Sequence, residues 1–252
     1  MKKILLCGML LALTASLASA AQGVNLRWSS CFGDGGVQAR TFACNSNLGT
    51  NQLVGSFELG ADILQSSGQE IVIDLASSGS APLPAWWQFK NVGTCRSSSL
   101  SMNVTISASA VNCFDWAVGA ATGGLGAYNI GERGPNTARI KIAIAVPASG
   151  LADLAAGTEY FSYNLLINNA KTVGTTACAG CQTGVCIVFN SIKCTTQIAA
   201  NDRTISGPTN GTDSNFATWQ GGGVPVVGQV SGCGAATPTR NATWGAVKSL
   251  YR

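Results

Sequence analysis

The chain has 252 residues with 31 Gly, 10 Cys and no His; 10% of its residues are charged, and the formal net charge is +4. Without histidine there is no Ser-His-Asp or Cys-His catalysis, no His-ligated zinc and no His-ligated haem. So few ionisable groups, with so small an excess of one sign, make no electrostatic footprint for nucleic acid.

Taken in chain order, the first twenty residues follow a secretory plan: Lys2 and Lys3, an apolar run over 4–17, then Ala18-Ser19-Ala20 as a small-x-small cleavage site. Cys7 lies near the start of the apolar run rather than at its end, which argues against a lipoprotein. No other run is long enough to cross a bilayer, since the next best, over 140–146, is interrupted by Lys141. The mature chain is expected to begin at Ala21, to be exported, and to be extracellular or held at the cell surface without a transmembrane segment. Loss of Lys2 and Lys3 leaves 13 basic against 11 acidic groups, so charge selects no partner.

Apolar and polar residues then alternate at strand period, with turn-forming residues between. The clearest segments are 70–75 (Ile71, Ile73, Leu75), 101–108 (Met102, Val104, Ile106, Ala108) and 139–146 (Ile140, Ile142, Ile144, Val146). Less regular strands are expected at 24–28, 39–44, 52–59, 86–89, 160–168 and 185–195. A Gly-rich loop is expected over 119–134, and a single helical turn over 151–156. About nine strands, each with one apolar face, predict an all-β chain packed as a two-sheet β-sandwich of jelly-roll or immunoglobulin-like type. The sandwich is assigned to 21–200. From 201 the chain turns rich in Gly, Thr and Asn with little periodicity, and 201–252 reads as an extension. It closes on Trp244, Val247, Leu250 and Tyr251, which share one helical face behind a capping Thr243 and form a docking or tail segment.

Nine cysteines follow the leader: Cys31, Cys44, Cys95, Cys113, Cys178, Cys181, Cys186, Cys194 and Cys233. In an oxidising compartment they imply structural disulfides, and the odd count leaves a thiol over. Spacing suggests local staples, Cys31 with Cys44 and Cys95 with Cys113. Among the last five, fifteen connectivities remain, and Cys233 is the residue expected to stay unpaired. Cys178-Ala179-Gly180-Cys181 is compatible with a redox pair or a metal knuckle, but it precedes a β-branched stretch rather than a helix start, which favours structural bridges.

The segments Leu83-Pro84-Ala85-Trp86-Trp87-Gln88-Phe89, Cys178-Ala179-Gly180-Cys181 and the closing Thr243-Trp244-Gly245-Ala246-Val247-Lys248-Ser249-Leu250-Tyr251-Arg252 resemble a group of uncharacterised bacterial secreted proteins that share such a tail. The resemblance brings no activity and no site residues.

Exposed rings on a sandwich stack on sugar faces, and Trp86, Trp87, Trp116 and Tyr128 are the candidates for a binding face. If Trp86 and Trp87 lie on a strand they point to opposite faces, so at most one is core. Glycoside hydrolysis needs two carboxylates and no histidine; Asp115 beside Trp116, with Glu132, is the pair to examine. Asp202, Asn210, Asp213 and Asn215 offer oxygen ligands for calcium without the spacing of a calcium loop. No catalytic set, cofactor or metal is assigned. The first expectation is a non-enzymatic secreted or cell-surface protein with a structural, adhesive or envelope and matrix role, its partners surface polysaccharide or other envelope proteins. A carbohydrate-binding module is the second and a glycan-cleaving hydrolase the third.

Overall fold

Runs rich in Val, Ile, Thr and aromatic residues, separated by Gly, Asn and Pro, bury one face by pairing into sheets. The computed structural model of the chain describes residues 21–78 and 82–222. In chain order its strands are β1 (Gly23–Trp28), β2 (Ala39–Arg40), β3 (Thr50–Glu58), β4 (Ile63–Ser77), β5 (Leu100–Asn103), β6 (Phe114–Asp115) and β7 (Thr122–Ile130). They continue with β8 (Thr137–Ala145), β9 (Ala152–Leu154), β10 (Glu159–Asn168), β11 (Val185–Thr196), β12 (Arg203–Ser206) and β13 (Phe216–Trp219).

The strands form two sheets packed together as an all-β sandwich. One has the order β1-β3-β10-β5, with β6 running parallel beside the start of β10. The other has the order β2-β13-β11-β4-β8-β7, with β12 on β11 and β9 on β4. Register shows why the core sits between them. Ile71, Ile73 and Leu75 of β4 face Ile142, Ile140 and Ala138 of β8, while Lys141 and Ala143, on the alternate positions, are exposed. Leu26, Leu53, Phe57, Tyr163, Leu165 and Ile167 supply the opposing layer of the same buried cluster.

Several expected elements change under tertiary contacts. The strand expected over 101–108 ends at Asn103, whose side-chain oxygen accepts from the Thr105 amide at 3.2 Å and from Asn164 Nδ2 at 2.9 Å; that local bond competes with the ladder. Beyond it Ile106 packs on Cys31, Val54, Cys113 and Phe161, a small second core on the outer face of the first sheet. Residues 85–87 form a 3-10 turn, since the Trp87 amide donates to the Pro84 carbonyl at 2.9 Å. The helical turn expected over 151–156 is instead strand β9, and the strand expected over 39–44 shrinks to β2. The Gly-rich loop is mostly strand β7. A Cβ on Gly123 would stand 2.5 Å from the Ala143 carbonyl, so the close pairing with β8 requires glycine there.

The boundary at 201 also moves. β12 and β13 both pair with β11, and the chain between them accepts from the Val24 amide through Gly207 and from the Leu26 amide through Ser214, each at 2.8 Å. Residues 203–219 therefore belong to the second sheet and cover the edge of β1. The leader at 1–20 and the segment 223–252, with Cys233 and the closing tail, lie outside the described residues.

Both local staples are overturned. Cys31 pairs with Cys113, Cys44 with Cys181 and Cys95 with Cys178. Antiparallel pairing carries each cysteine away from its sequence neighbour and against a distant loop, so the bridges span 82, 137 and 83 residues. Cys186 is also disulfide-bonded. Cys194, expected in a bridge, is a free thiol buried in the core, and burial pushes its pKa up to about 12.

Candidate binding surface at the stapled end

All four rings proposed as a binding face are interior. Trp86 and Trp87 are 0% exposed, Trp116 1% and Tyr128 4%. A 3-10 turn does not alternate sides as a strand does, so adjacent Trp86 and Trp87 enter the same core and contact Trp219 at 4.9 and 5.3 Å between ring centroids. Their polar atoms serve the fold: Trp86 Nε1 donates to Thr172 Oγ1 at 3.0 Å and Tyr128 Oη donates to the Trp87 carbonyl. The guanidinium of Arg96, itself 1% exposed, lies 3.5 Å from the centre of the Trp86 ring. It donates to the carbonyls of Trp86 at 2.8 Å, Ala170 at 3.0 Å and Asn168. This cation holds the turn against the end of β10 and is not offered to solvent.

The carboxylates are likewise committed. Asp115 accepts from the Ala117 and Gly119 amides at 3.0 and 2.7 Å, closing a turn after β6. Glu132 accepts from Asn129 Nδ2 at 2.7 Å and from Arg139 at 3.1 Å; the Asn129 bond first, then the Arg139 and Lys141 charges, hold its pKa below the usual carboxylate range. Asp115 ends β6 of the first sheet and Glu132 lies in the turn between β7 and β8 of the second, and each is bound to its own neighbours.

The candidate calcium ligands do not converge either. Asp202 pairs with Lys193 at 3.0 Å, Asn210 and Asp213 bond each other within a turn, and buried Asn215 lies against Phe189. Among the described residues one cluster has metal-ligand geometry: Cys31, Cys113 and Glu159. Its sulfurs are bonded to each other, which removes the thiolates a metal needs. Its carboxylate already accepts from the Phe32 and Gly33 amides at 3.0 and 2.7 Å, and from Ser56 Oγ.

Cys178 and Cys181 go to different partners, so the CxxC segment is a double staple rather than a redox pair. It binds the turn at 177–183 to Cys44 on one side and to Cys95 on the other. Two open clefts adjoin this staple. One, of about 430 Å3, is lined by Cys44, Thr172 and residues 177–183. The other, of about 210 Å3, is lined by Phe42, Ala43, Cys44, Asn45, Ser46, Asn51, Asn169, Cys181 and Trp219. Phe42, half-buried, stacks on Trp219 with centroids 3.6 Å apart, and the Arg40 guanidinium lies 5.3 Å from the Phe42 centroid. The arrangement brings a half-buried aromatic ring together with amide and hydroxyl groups, and no side chain lining either cleft is ionisable.

The sequence reading missed this surface. Phe42 sits in an irregular segment, and Trp219 falls in what reads as an extension. The usable signal is the density of Asn45, Asn47 and Asn51 beside Phe42 and Cys44, residues that gather where a loop is polar yet held in place.

The fold and the three long-range bridges define a disulfide-stapled β-sandwich. No protein-family model, no curated protein and no solved structure matches the chain. No helix of the described residues is long and apolar enough to cross a membrane.

Proposed function

We propose that this protein is exported and non-enzymatic, and serves as a structural or adhesive component of the cell surface, envelope or surrounding matrix. The observation that carries the reading is the set of three disulfides spanning 82 to 137 residues. They clamp surface loops to the sandwich, a device suited to an oxidising compartment where a chain has to persist. The buried rings and committed carboxylates support the same reading, since Trp86, Tyr128, Asp115 and Glu132 spend their polar atoms on contacts within the fold. The test recovers the native chain separately from washed cells and from medium and measures its intact mass before and after reduction. A processed, bridged chain retained on the washed cells, with surface attachment lost in a deletion strain, is the expected result. A reduced chain found in the cytosol overturns the proposal.

One observation favours carbohydrate binding as a second reading: the cleft that sets half-buried Phe42 among Asn45, Ser46, Asn51 and Asn169. Stacking on one ring face, with amides at its rim, suits a sugar. Depletion of the protein by an insoluble polysaccharide, lost in Phe42→Ala and weakened in Asn45→Ala, is expected. Equal depletion of wild type and both variants sinks this assignment.

A further inference from the structure

A net charge of only +4 conceals an uneven distribution. Three stretches of the chain, 35–57, 75–114 and 160–201, contain no Asp or Glu, yet they carry Arg40, Lys90, Arg96, Lys171 and Lys193. The bridges Cys44–Cys181 and Cys95–Cys178 tie these three stretches together at one end of the sandwich. Arg40, Lys90, Arg96 and Lys171 therefore gather there without an acid from their own segments, while Lys193 lies further along β11 and pairs with Asp202. Arg96 is buried, but Arg40, Lys90 and Lys171 are exposed. The adjoining turn between β7 and β8, whose Pro135 carbonyl accepts from the Leu83 amide, brings Glu132, and that carboxylate is already bound to Arg139 and Asn129.

The exposed cations stand beside the two clefts, which meet at the Cys44–Cys181 bridge that lines both. At one cleft the Arg40 guanidinium lies 5.3 Å from the Phe42 ring centre and donates from Nη1 to Ser29 Oγ at 2.7 Å. At the other, Lys171 precedes the lining residue Thr172. Its ammonium donates to the Cys95 carbonyl at 2.8 Å, and an ammonium has further N–H groups to offer a ligand. Lys90 and Lys171 also share a backbone feature, since both hold the left-handed conformation, with φ of 62° and 59°, where Gly or Asn is the less strained residue. A long cationic side chain kept at two such positions on one rim points to use of its charge.

Resting on the reading of the Phe42 cleft as a sugar site, we propose that the stapled end binds an acidic polysaccharide, a chain of sugars bearing carboxylates. The Phe42 ring takes a sugar face, Asn45, Asn51 and Asn169 take hydroxyls, and Arg40 and Lys171 take carboxylates on either side of the bridge. A nucleic acid, charged at every phosphate, needs a denser basic track than these few cations make.

The test measures binding of the full chain to three polyuronates (polygalacturonate, alginate and hyaluronate), to their neutral methyl esters and to polyglutamate. At least one polyuronate is expected to bind several-fold more tightly than its own ester, with affinity falling several-fold between about 0.05 and about 0.5 M salt. Arg40→Gln and Lys171→Asn should each weaken binding by about two- to fivefold, as expected of exposed ion pairs, and Asn accepts the left-handed backbone of Lys171. Lys193→Gln, which removes the same charge elsewhere, should leave binding unchanged. Equal affinity for acid and ester overturns the acidic ligand and leaves the sugar site standing. Polyglutamate bound as tightly as a polyuronate, with Phe42→Ala without effect, overturns the sugar site as well, and so does binding to none of the glycans. Equal weakening by Lys193→Gln overturns the placement at the stapled end.

Discussion

Tyr163 stands in the core against Phe189 at 5.3 Å between ring centroids, with its hydroxyl buried and unpaired, and burial drives its pKa well above the ordinary value. Tyr163→Phe removes an orphan polar group and should leave stability unchanged or raise it by up to about 1 kcal/mol, read from the denaturant midpoint. Gly55 is the counterpart. Its Cβ would lie 2.2 Å from Tyr163 Cζ, so Gly55→Ala should cost about 1–3 kcal/mol, and Tyr163→Phe should not rescue it, because the clash is with the ring. Asp74 accepts from Arg139 Nε and Nη2 and from Asn190 Nδ2, each at 2.7 Å, with its side chain 3% exposed. Asp74→Ala leaves Arg139 Nε and Nη2 and the Asn190 amide without their acceptor, although Arg139 keeps Glu132 at 3.1 Å, and should cost about 1–3 kcal/mol.

Acid dependence follows from the same carboxylates. Asn129 lowers Glu132, the Thr196 amide lowers Asp202, and Asn210 lowers Asp213. A depressed native pKa means that the unfolded chain binds protons first on acidification. Their contribution is therefore present above the ordinary carboxylate pKa and lost as pH falls through the native values. Glu58, raised by burial and by Glu159, has the opposite sign: its contribution is present at low pH and lost as pH rises through its native pKa. Three groups against one predict a melting temperature that declines below about pH 4. A melting temperature that rises on acidification to that range contradicts the assignment.

Among the elements, those with their own period were readable and those made by neighbours were not. β8 alternates Ile140, Ile142 and Ile144 with polar or small residues, and its bounds differ from the sequence reading by two residues at the start and one at the end. β7 carries three glycines in nine residues; it is a strand because β8 accepts it at close range, and glycine-rich composition reads as loop until that partner is known. β13 is four residues long, too short for a period, and is buried because Ala217 and Trp219 face the core. Trp86 and Trp87 show the reverse error, since β-prone composition suggested a strand where Pro84 starts a 3-10 turn. Arg96, which no pattern marked, ties that turn to the end of β10. Arg96→Lys cannot serve three carbonyls and an aromatic face at once, and should lower stability by about 2–3 kcal/mol in equilibrium unfolding.

For the whole molecule, the bridges dominate. Each typically contributes about 2–4 kcal/mol, against a net stability of about 5–15 kcal/mol for a domain, and all three described here close long loops. Reduction should lower the melting temperature steeply or abolish the transition, while reduction followed by an unchanged melt would show that the bridges do not hold the fold. The sequence by itself determined the strand class, the two-sheet architecture, the exclusion of histidine chemistry and the presence of disulfides, because composition and a two-residue period are local properties. Tertiary structure decided which cysteines meet, that all four candidate rings are interior, that residues 203–219 belong to the second sheet, and that Phe42 fronts a cleft. Those outcomes depend on pairing between segments up to 190 residues apart, as where Trp28 Nε1 donates to the Thr218 carbonyl, and no local pattern encodes which distant backbone a strand will meet.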